Sequence, residues 1–197
     1  MSFKQTWWND NIPTRMSEFT SWVGSENAQS KVYFRKFVKN GKYKSLIDVG
    51  CGTATEYFAY KKEYPDLEYL GVDSCVPLHD KNKKLGVPML LADADNIPLE
   101  DNSAEVVFAR HVLEHQPGFY PVLNEIIRLS KILVCHIFFI TPKYDHEVIS
   151  YDPKENLYHN QFSRQSIEDV LHHNPKVSTF FWRPITNDET ALIIYLK

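Results

Sequence analysis

The stretch Ser45-Leu-Ile-Asp-Val-Gly-Cys-Gly-Thr-Ala-Thr55 decides how the rest of the chain is read. Leu46, Ile47 and Val49 make a short apolar run of the kind that becomes a buried strand, and the run breaks into Gly50 and Gly52 before a helical pattern starts. A strand, a glycine-lined turn and a helix N-terminus together form a cradle. The glycines let a ligand approach the backbone without a Cβ in the way, and the first amides of the helix are donors without intrahelical acceptors. Asp48 stands at the strand end, facing the same crevice.

Asp48-Val-Gly50-Cys-Gly52 resembles the first motif of class I S-adenosylmethionine-dependent methyltransferases of type 11, and three later segments follow in the order that family requires. Tyr69-Leu-Gly-Val-Asp73 resembles the second strand with its terminal acid. Leu91-Ala-Asp93-Ala-Asp95-Asn-Ile-Pro-Leu resembles the third-strand loop, and Glu105 to His115 the fourth strand and the helix after it. Together they cover about half the chain. Ala54 stands where the family usually has a third glycine. A dehydrogenase fingerprint, G-x-G-x-x-G, would need a glycine at Thr55 and is disfavoured. The resemblance implies an α/β, Rossmann-like, doubly wound fold: a seven-stranded, mostly parallel sheet with a C-terminal antiparallel hairpin, and S-adenosyl-L-methionine as cofactor. One domain, 1–197, is expected, with lid and cover helices over 1–40, a cofactor core over 41–140, and an acceptor loop and hairpin over 141–197.

Composition suits this reading. At 197 residues, 43% hydrophobic and 24% charged, the chain has the make-up of one soluble domain. A net charge of -3 argues against gripping a long polyanion by counterion release, which disfavours nucleic acid. Three cysteines without C-x-x-C spacing signal neither a disulfide frame nor zinc, so cytosolic thiols, a cytoplasmic protein and no metal are the expectation. Cys51 and Cys75 read as small side chains in tight turns rather than nucleophiles. The apolar run Ile132 to Ile140 is interrupted by His136 and falls short of the roughly 20 residues that cross a bilayer, and Met1-Ser-Phe-Lys opens no signal peptide.

Along the chain, Phe3, Trp7, Trp8, Phe19 and Trp22 mark an aromatic N-terminal segment that either pins a lid or meets an acceptor, with Arg15 able to face the cofactor carboxylate. Ala28, Val32, Tyr33 and Phe37 suggest a cover helix from Glu26 to Lys39, stopped by Asn40-Gly41. A helix through Tyr57 to Lys62 closes before Pro65, and a second strand, Leu67 to Val72, ends in Asp73. That acid, 21 residues after Gly52, is placed to accept two ribose hydroxyls. A mixed helix over Val76 to Leu85 leads to a third strand, Pro88 to Ala92. The resemblance assigns Asp93 and Ala94, with Asp95 beside them, to the adenine edge. Ser74, Cys51, Ala54 and Arg110 join Asp48, Gly50 and Gly52 as cofactor neighbours.

Glu105 to Ala109 reads as the fourth strand. Ligands of open parallel sheets sit outside the carboxyl ends of the strands, so His111 is the first candidate base, with His115 one helical turn further on the same face. The two histidines also have metal-pair spacing, but no third ligand is specified. A helix from Tyr120 to Leu129 and a central strand over Ile132 to Ile140, with His136 as a core or edge residue, precede a long irregular loop from Thr141 to Asn160. The loop offers Asp145, His146, Asp152 and His159. Ser163 is a candidate N-cap for a helix over Ile167 to His172, and Lys176 to Trp182 and Glu189 to Leu196 form the closing hairpin.

A hydroxyl acceptor needs a general base within about 3 Å, and His111 or His159 can supply it near neutral pH, with His115, His146, Asp152, Glu114 and Asp145 in reserve. The leading expectation is O-methylation of a small or glycan-like hydroxylated acceptor. Methylation of nitrogen, RNA or protein, or a silent cofactor-binding partner protein, are the alternatives.

Overall fold

The computed structural model describes residues 7–23 and 26–197. Two parallel ladders meet on β1 (Ser45–Val49), which pairs with β2 (Glu68–Asp73) on one side and β4 (Ala104–Arg110) on the other. Next, β3 (Met89–Leu91) extends the sheet beyond β2, and β5 (Ser130–Phe138) extends it beyond β4, both in parallel. A separate hairpin of β6 (Tyr151–Asp152) and β7 (Leu157–Tyr158) follows. The main sheet then closes with antiparallel β8 (Val177–Pro184) and β9 (Thr190–Leu196), in the order β3-β2-β1-β4-β5-β9-β8. This is the expected Rossmann-like α/β architecture. The chain leaves β1 in one direction and returns on its other side at β4, so the connections diverge and a crevice opens at the strands' carboxyl ends.

The central strands are buried on both faces, which is why they read as near-continuous apolar runs, broken at Asp48 in β1 and His136 in β5. Val107 and Ala109 of β4 pack with Val122, Leu123 and Ile126 of α5 (Phe119–Leu129) and with Ile167 and Leu171 of α6 (Arg164–His173). Val106 and Phe108 face the other way, toward Phe34 and Val38 of α2 (Gln29–Gly41) and Tyr60 of α3 (Thr55–Glu63). The Phe34 ring stacks on Phe108 at 4.1 Å between centroids. A third cluster, Ile12 with Cys75 and Leu78, seats α1 (Trp7–Val23) on α4 (Val76–Lys84). Pro13 lies inside α1, and Arg15 leaves helical geometry (φ −114°, ψ 23°), the kink expected where a ring replaces an amide hydrogen. Ser163 caps α6, its hydroxyl accepting from the Ser166 amide at 3.2 Å. No helix among the described residues is long and apolar enough to cross a membrane.

Three local expectations are corrected. The cover helix starts at Gln29 and runs through Asn40-Gly41, turning left-handed at Lys42 (φ 55°). A Cβ on Gly41 would meet the Tyr43 ring at 2.3 Å, so a side chain there would have to displace that half-buried ring. Its buried face is Lys31, Phe34, Arg35 and Val38, a helical stripe that carries two cations inward. After β4 there is no helix joining His111 to His115. His111 itself is left-handed (φ 59°), and only a single 3-10 turn, Leu113–His115, forms before Pro117 and Gly118 interrupt. The loop of 141–160 is ordered by the β6–β7 hairpin. The Asp152 carboxylate accepts from the Lys154 and Glu155 amides at 2.8 and 3.3 Å, and the Tyr151 and Tyr158 rings pair at 4.7 Å.

Glu114 ties these pieces together from inside. Its Oε1 accepts the Phe139 amide at 2.8 Å where β5 ends, and its carbonyl accepts the Asn160 amide at 2.9 Å. It is fully buried 3.8 Å from His136, whose Nε2 accepts the Leu113 amide at 3.2 Å. Burial drives the Glu114 carboxyl up to about 8 against the pull of its amide donors, and drives His136 well below the usual imidazole range. Both are therefore neutral at pH 7, which makes Glu114 a framework acid and not the reserve base considered above. An acid whose folded value lies above its unfolded one loses stability as pH climbs from the ordinary glutamate range through about 8. Glu114→Gln keeps the acceptor and removes the ionisation. Its melting temperature should exceed wild type by a few degrees at about pH 9 and match it near pH 5, by calorimetry. A difference that does not change with pH would contradict this.

Candidate active site

The cradle is built from alternating left-handed residues: Gly50 (φ 68°), Gly52 (φ 55°) and Ala54 (φ 53°). A Cβ on Gly50 would lie 2.5 Å from Val112 Cγ2, so the bend has no room for a side chain there. Ala54 takes the conformation a third glycine would take. It stands buried at the N-cap of α3, outside the cavity wall, which corrects its placement as a lining residue. The Gly50 and Cys51 amides donate to the Val72 carbonyl at 2.8 and 3.2 Å. Asn82 of α4 holds the bend from behind, Nδ2 donating to the Gly52 carbonyl at 2.8 Å. Asp73 secures the front, Oδ2 accepting from Gly52 N and Oδ1 from Cys75 N, both at 2.8 Å. A carboxylate has about four lone-pair sites, so both oxygens keep acceptor capacity for a ligand. Asp48 is buried, accepts Tyr69 Oη at 2.6 Å, and is pushed by burial up to about 7 despite that bond.

These groups form the floor of a cavity of about 800 Å³. Asp73 and Ser74 follow β2, Asp93, Ala94 and Asp95 follow β3, and Arg110 and His111 follow β4. The roof is α1 with the β6–β7 hairpin. Asn9 bonds the Ser74 carbonyl and the Val76 amide at 3.3 and 2.9 Å, and Arg15 pairs with Glu155 at 4.0 Å. Trp8 lines the cavity and also packs against the Ile12 cluster, so one indole serves both pinning and pocket. Phe3 and the side chains of Trp7, Phe19 and Trp22 lie outside the described residues. Cys51 also lines the cavity, but burial pushes its thiol, like that of Cys75, well up, in keeping with packing roles.

Three imidazoles gather around Phe139. Its ring centroid is 4.8 Å from His111, 5.5 Å from His115 and 6.3 Å from His159. His115 shares Nδ1 with the Tyr158 carbonyl at 2.8 Å, touches Trp8 edge-on at 5.2 Å, and is driven by burial down to about 4. Burial also lowers His111, partly offset by a hydrogen bond to Glu189. His146 and Asp145 are exposed and lie off the cavity wall, and Asp152 closes the hairpin turn. All three leave the candidate set: none lines the cavity, and the Asp152 carboxylate is taken up by the Lys154 and Glu155 amides of the hairpin turn.

Two contributors were missed in the sequence. Lys31 of α2 lines the cavity almost fully buried, its Nζ donating to Thr55 Oγ1 at 2.8 Å beside the start of α3. The signal was the stripe 31, 34, 35, 38, in which cations share the face of Phe34 and Val38. Arg35, next on it, makes a buried pair with Glu56 at 3.1 Å. Glu189, the residue before β9, accepts from Ser30 and Arg110 and lies 2.9 Å from His111 Nε2, and no local pattern announced it.

Residues 47–132 match the family model of a methyltransferase domain. A malonyl-[acyl-carrier protein] O-methyltransferase of Xylella fastidiosa (strain M23) is 26% identical over 101 residues, 47% of this chain and 34% of the relative. A probable tRNA methyltransferase 9B of Bos taurus is 29% identical over 109 residues, 54% of this chain and 23% of the relative. The chain thus spans about a third or less of the length of these curated relatives. In fold, it is similar to a 1,6-didemethyltoxoflavin-N1-methyltransferase of Burkholderia thailandensis, solved with bound 1,6-didemethyltoxoflavin and S-adenosylhomocysteine. The TM-score is 0.69 at 11% identity, covering 96% of this chain and 87% of that one.

The residues present fit a nucleoside with an amino-acid tail. Asp73 has acceptor capacity for a ribose diol, Asp93 and Ala94 border the space beside it, and Lys31 offers a cation near the first turn of α3 for a carboxylate. Asp73→Ala should weaken S-adenosylhomocysteine binding roughly ten- to hundred-fold by calorimetry, the scale of hydrogen bonds to a charged acceptor; unchanged affinity removes Asp73 from the site. Lys31→Met should weaken S-adenosylhomocysteine but spare methylthioadenosine, which lacks the amino-acid end. Equal losses for both would place Lys31 elsewhere.

Proposed function

We propose that this chain is a class I S-adenosylmethionine-dependent methyltransferase, as the match of residues 47–132 supports, and that it methylates a hydroxyl of a small or glycan-like acceptor, with His111 as the general base. The bound cofactor supplies a methyl group on a cationic sulfur, already a good electrophile. What remains for the protein is to bind, orient, exclude water and take a proton. Asp73, the glycine bend and Lys31 bind the nucleoside and its tail. Trp8, Tyr158 and Phe139 provide flat faces for the acceptor, and α1 with the hairpin keeps water out.

One observation carries the reading: His111 is an imidazole in the cavity wall, at the end of β4, with a value held below the ordinary histidine range by burial. It is neutral at pH 7 and able to accept a proton from an alcohol. A small acceptor accords with the net charge of -3, which offers no general attraction to a polyanion. Free thiols at Cys51, Cys75 and Cys135 suit a cytoplasmic protein.

Tritium transfer from labelled cofactor to a panel of sugars, glycolipids and tRNA tests the acceptor class, with label expected in a hydroxylated small molecule. His111→Ala should cut turnover about a hundred-fold or more while leaving S-adenosylhomocysteine affinity near wild type. The acid limb of the wild-type rate profile should fall below the usual imidazole range, because the base stays neutral to lower pH. A wild-type rate in His111→Ala, or labelling of tRNA alone, would overturn the proposal.

A further inference from the structure

Glu189 carries more hydrogen bonds on one oxygen than a surface turn residue has reason to. Its Oε1 accepts from Ser30 Oγ at 3.0 Å, from Arg110 Nε and Nη2 at 3.1 and 2.8 Å, and faces His111 Nε2 at 2.9 Å. Its position is set by the fold. Because β9 runs antiparallel to β5, with Phe138 opposite Thr190, the residue before β9 arrives at the carboxyl edge of the sheet, where the cavity opens. The β8–β9 turn fixes it there: Thr186 Oγ1 accepts the Glu189 amide at 2.9 Å, and the Ile185 amide donates to the Glu189 carbonyl at the same distance. His111 is held from the other side, its amide donating to the Ile137 carbonyl at 2.8 Å while φ is +59°.

The consequence is a choice of tautomer. An ionised carboxylate only accepts, so the Nε2 it faces must carry the hydrogen, and in a neutral imidazole the other nitrogen then holds the lone pair. We propose that Glu189 is a positioning residue for the transfer: it holds His111 by Nε2–H, so that Nδ1 is the nitrogen that takes the acceptor's proton. This rests on the reading of His111 as the base. In the balanced step the acceptor oxygen bonds to the methyl carbon, the carbon–sulfur bond breaks with its electron pair kept by sulfur, and the hydroxyl proton moves to Nδ1. The positive charge that leaves sulfur ends on an imidazolium 2.9 Å from a carboxylate. Burial pushes the Glu189 carboxyl up, but His111, Arg110 and Ser30 outweigh it and bring it down to about 2, so it stays ionised throughout. The charged and titratable groups acting on His111 are Glu189 from the β8–β9 turn, Arg110 from β4 and Lys31 from α2. His115 and His136, neutral by burial, stand near it on the 3-10 turn and β5.

The test is long-range proton–nitrogen NMR on protein labelled with ¹⁵N-histidine and loaded with S-adenosylhomocysteine, with His111→Asn assigning the signal. Wild type should show His111 neutral at pH 7 as the Nε2–H form. In Glu189→Gln, close in shape but uncharged, its titration should move to lower pH; in Glu189→Ala it should move likewise and the tautomers should mix. On an acceptor found by the labelling panel, Glu189→Ala should lose kcat with little change in acceptor KM or S-adenosylhomocysteine affinity. An Nδ1–H form in wild type, or a titration and tautomer unchanged in both variants, would overturn the proposal. The base reading fails separately, if His111→Ala turns over at the wild-type rate whatever the ring's tautomer.

Discussion

The carboxylate of Asp73 joins the two turns that make the cavity floor. One oxygen takes the Gly52 amide from the bend after β1, the other takes the Cys75 amide at the start of α4, each at 2.8 Å. The first turn stands beside the gap between β1 and β4, where the chain's path across the sheet reverses, and the second follows the neighbouring β2, so the bonds brace a crevice that the topology opens but would not by itself shape. Asn82 pulls on the same bend from behind. With the left-handed residues Gly50, Gly52 and Ala54 fixed between them, backbone amides and a carboxylate face one space, and a nucleoside can be bound without reorganising the loop.

Around that floor the protein buries more charge than a core needs. Lys31, Arg35, Glu56 and Asp48 are all nearly inaccessible, and burial shifts Lys31 down and both acids up. Well-packed apolar residues in place of such buried ions are often neutral or stabilising. Retention of the charges is most simply explained by the ligand, since a cation beside a helix start and acceptors beside a diol complement a zwitterionic nucleoside. Burial drives Asp48 up to about 7 and Glu114 up to about 8, and drives His136 well down, so these groups move toward their neutral forms.

Periodicity and turn chemistry made most of the fold legible, because the central strands are buried on both faces and read as apolar runs such as Val106 to Ala109. The cradle was legible for a related reason: glycines directly after such a run have few other uses. What stayed hidden depended on contacts across the sheet. Glu189 lies 78 positions from His111 and becomes its neighbour only because β9 inserts antiparallel beside β5. The inward cations of α2 were overlooked because attention to Ala28, Val32 and Phe37 selected the wrong face. The β6–β7 hairpin, with two-residue strands, is too short to register as alternation, although Asp152 and Asn156 supply its turn. His111 shows the limit most clearly, since its left-handed backbone replaces the helix that its spacing to His115 suggested.

The central claim is that this cavity holds S-adenosylmethionine, and every role assigned to a histidine depends on it. Calorimetric titration of the wild-type chain with S-adenosylhomocysteine tests that most directly. The account predicts saturable heat at one molecule per chain, with a rise in melting temperature that grows with ligand concentration. No heat and no thermal shift at millimolar ligand would contradict it.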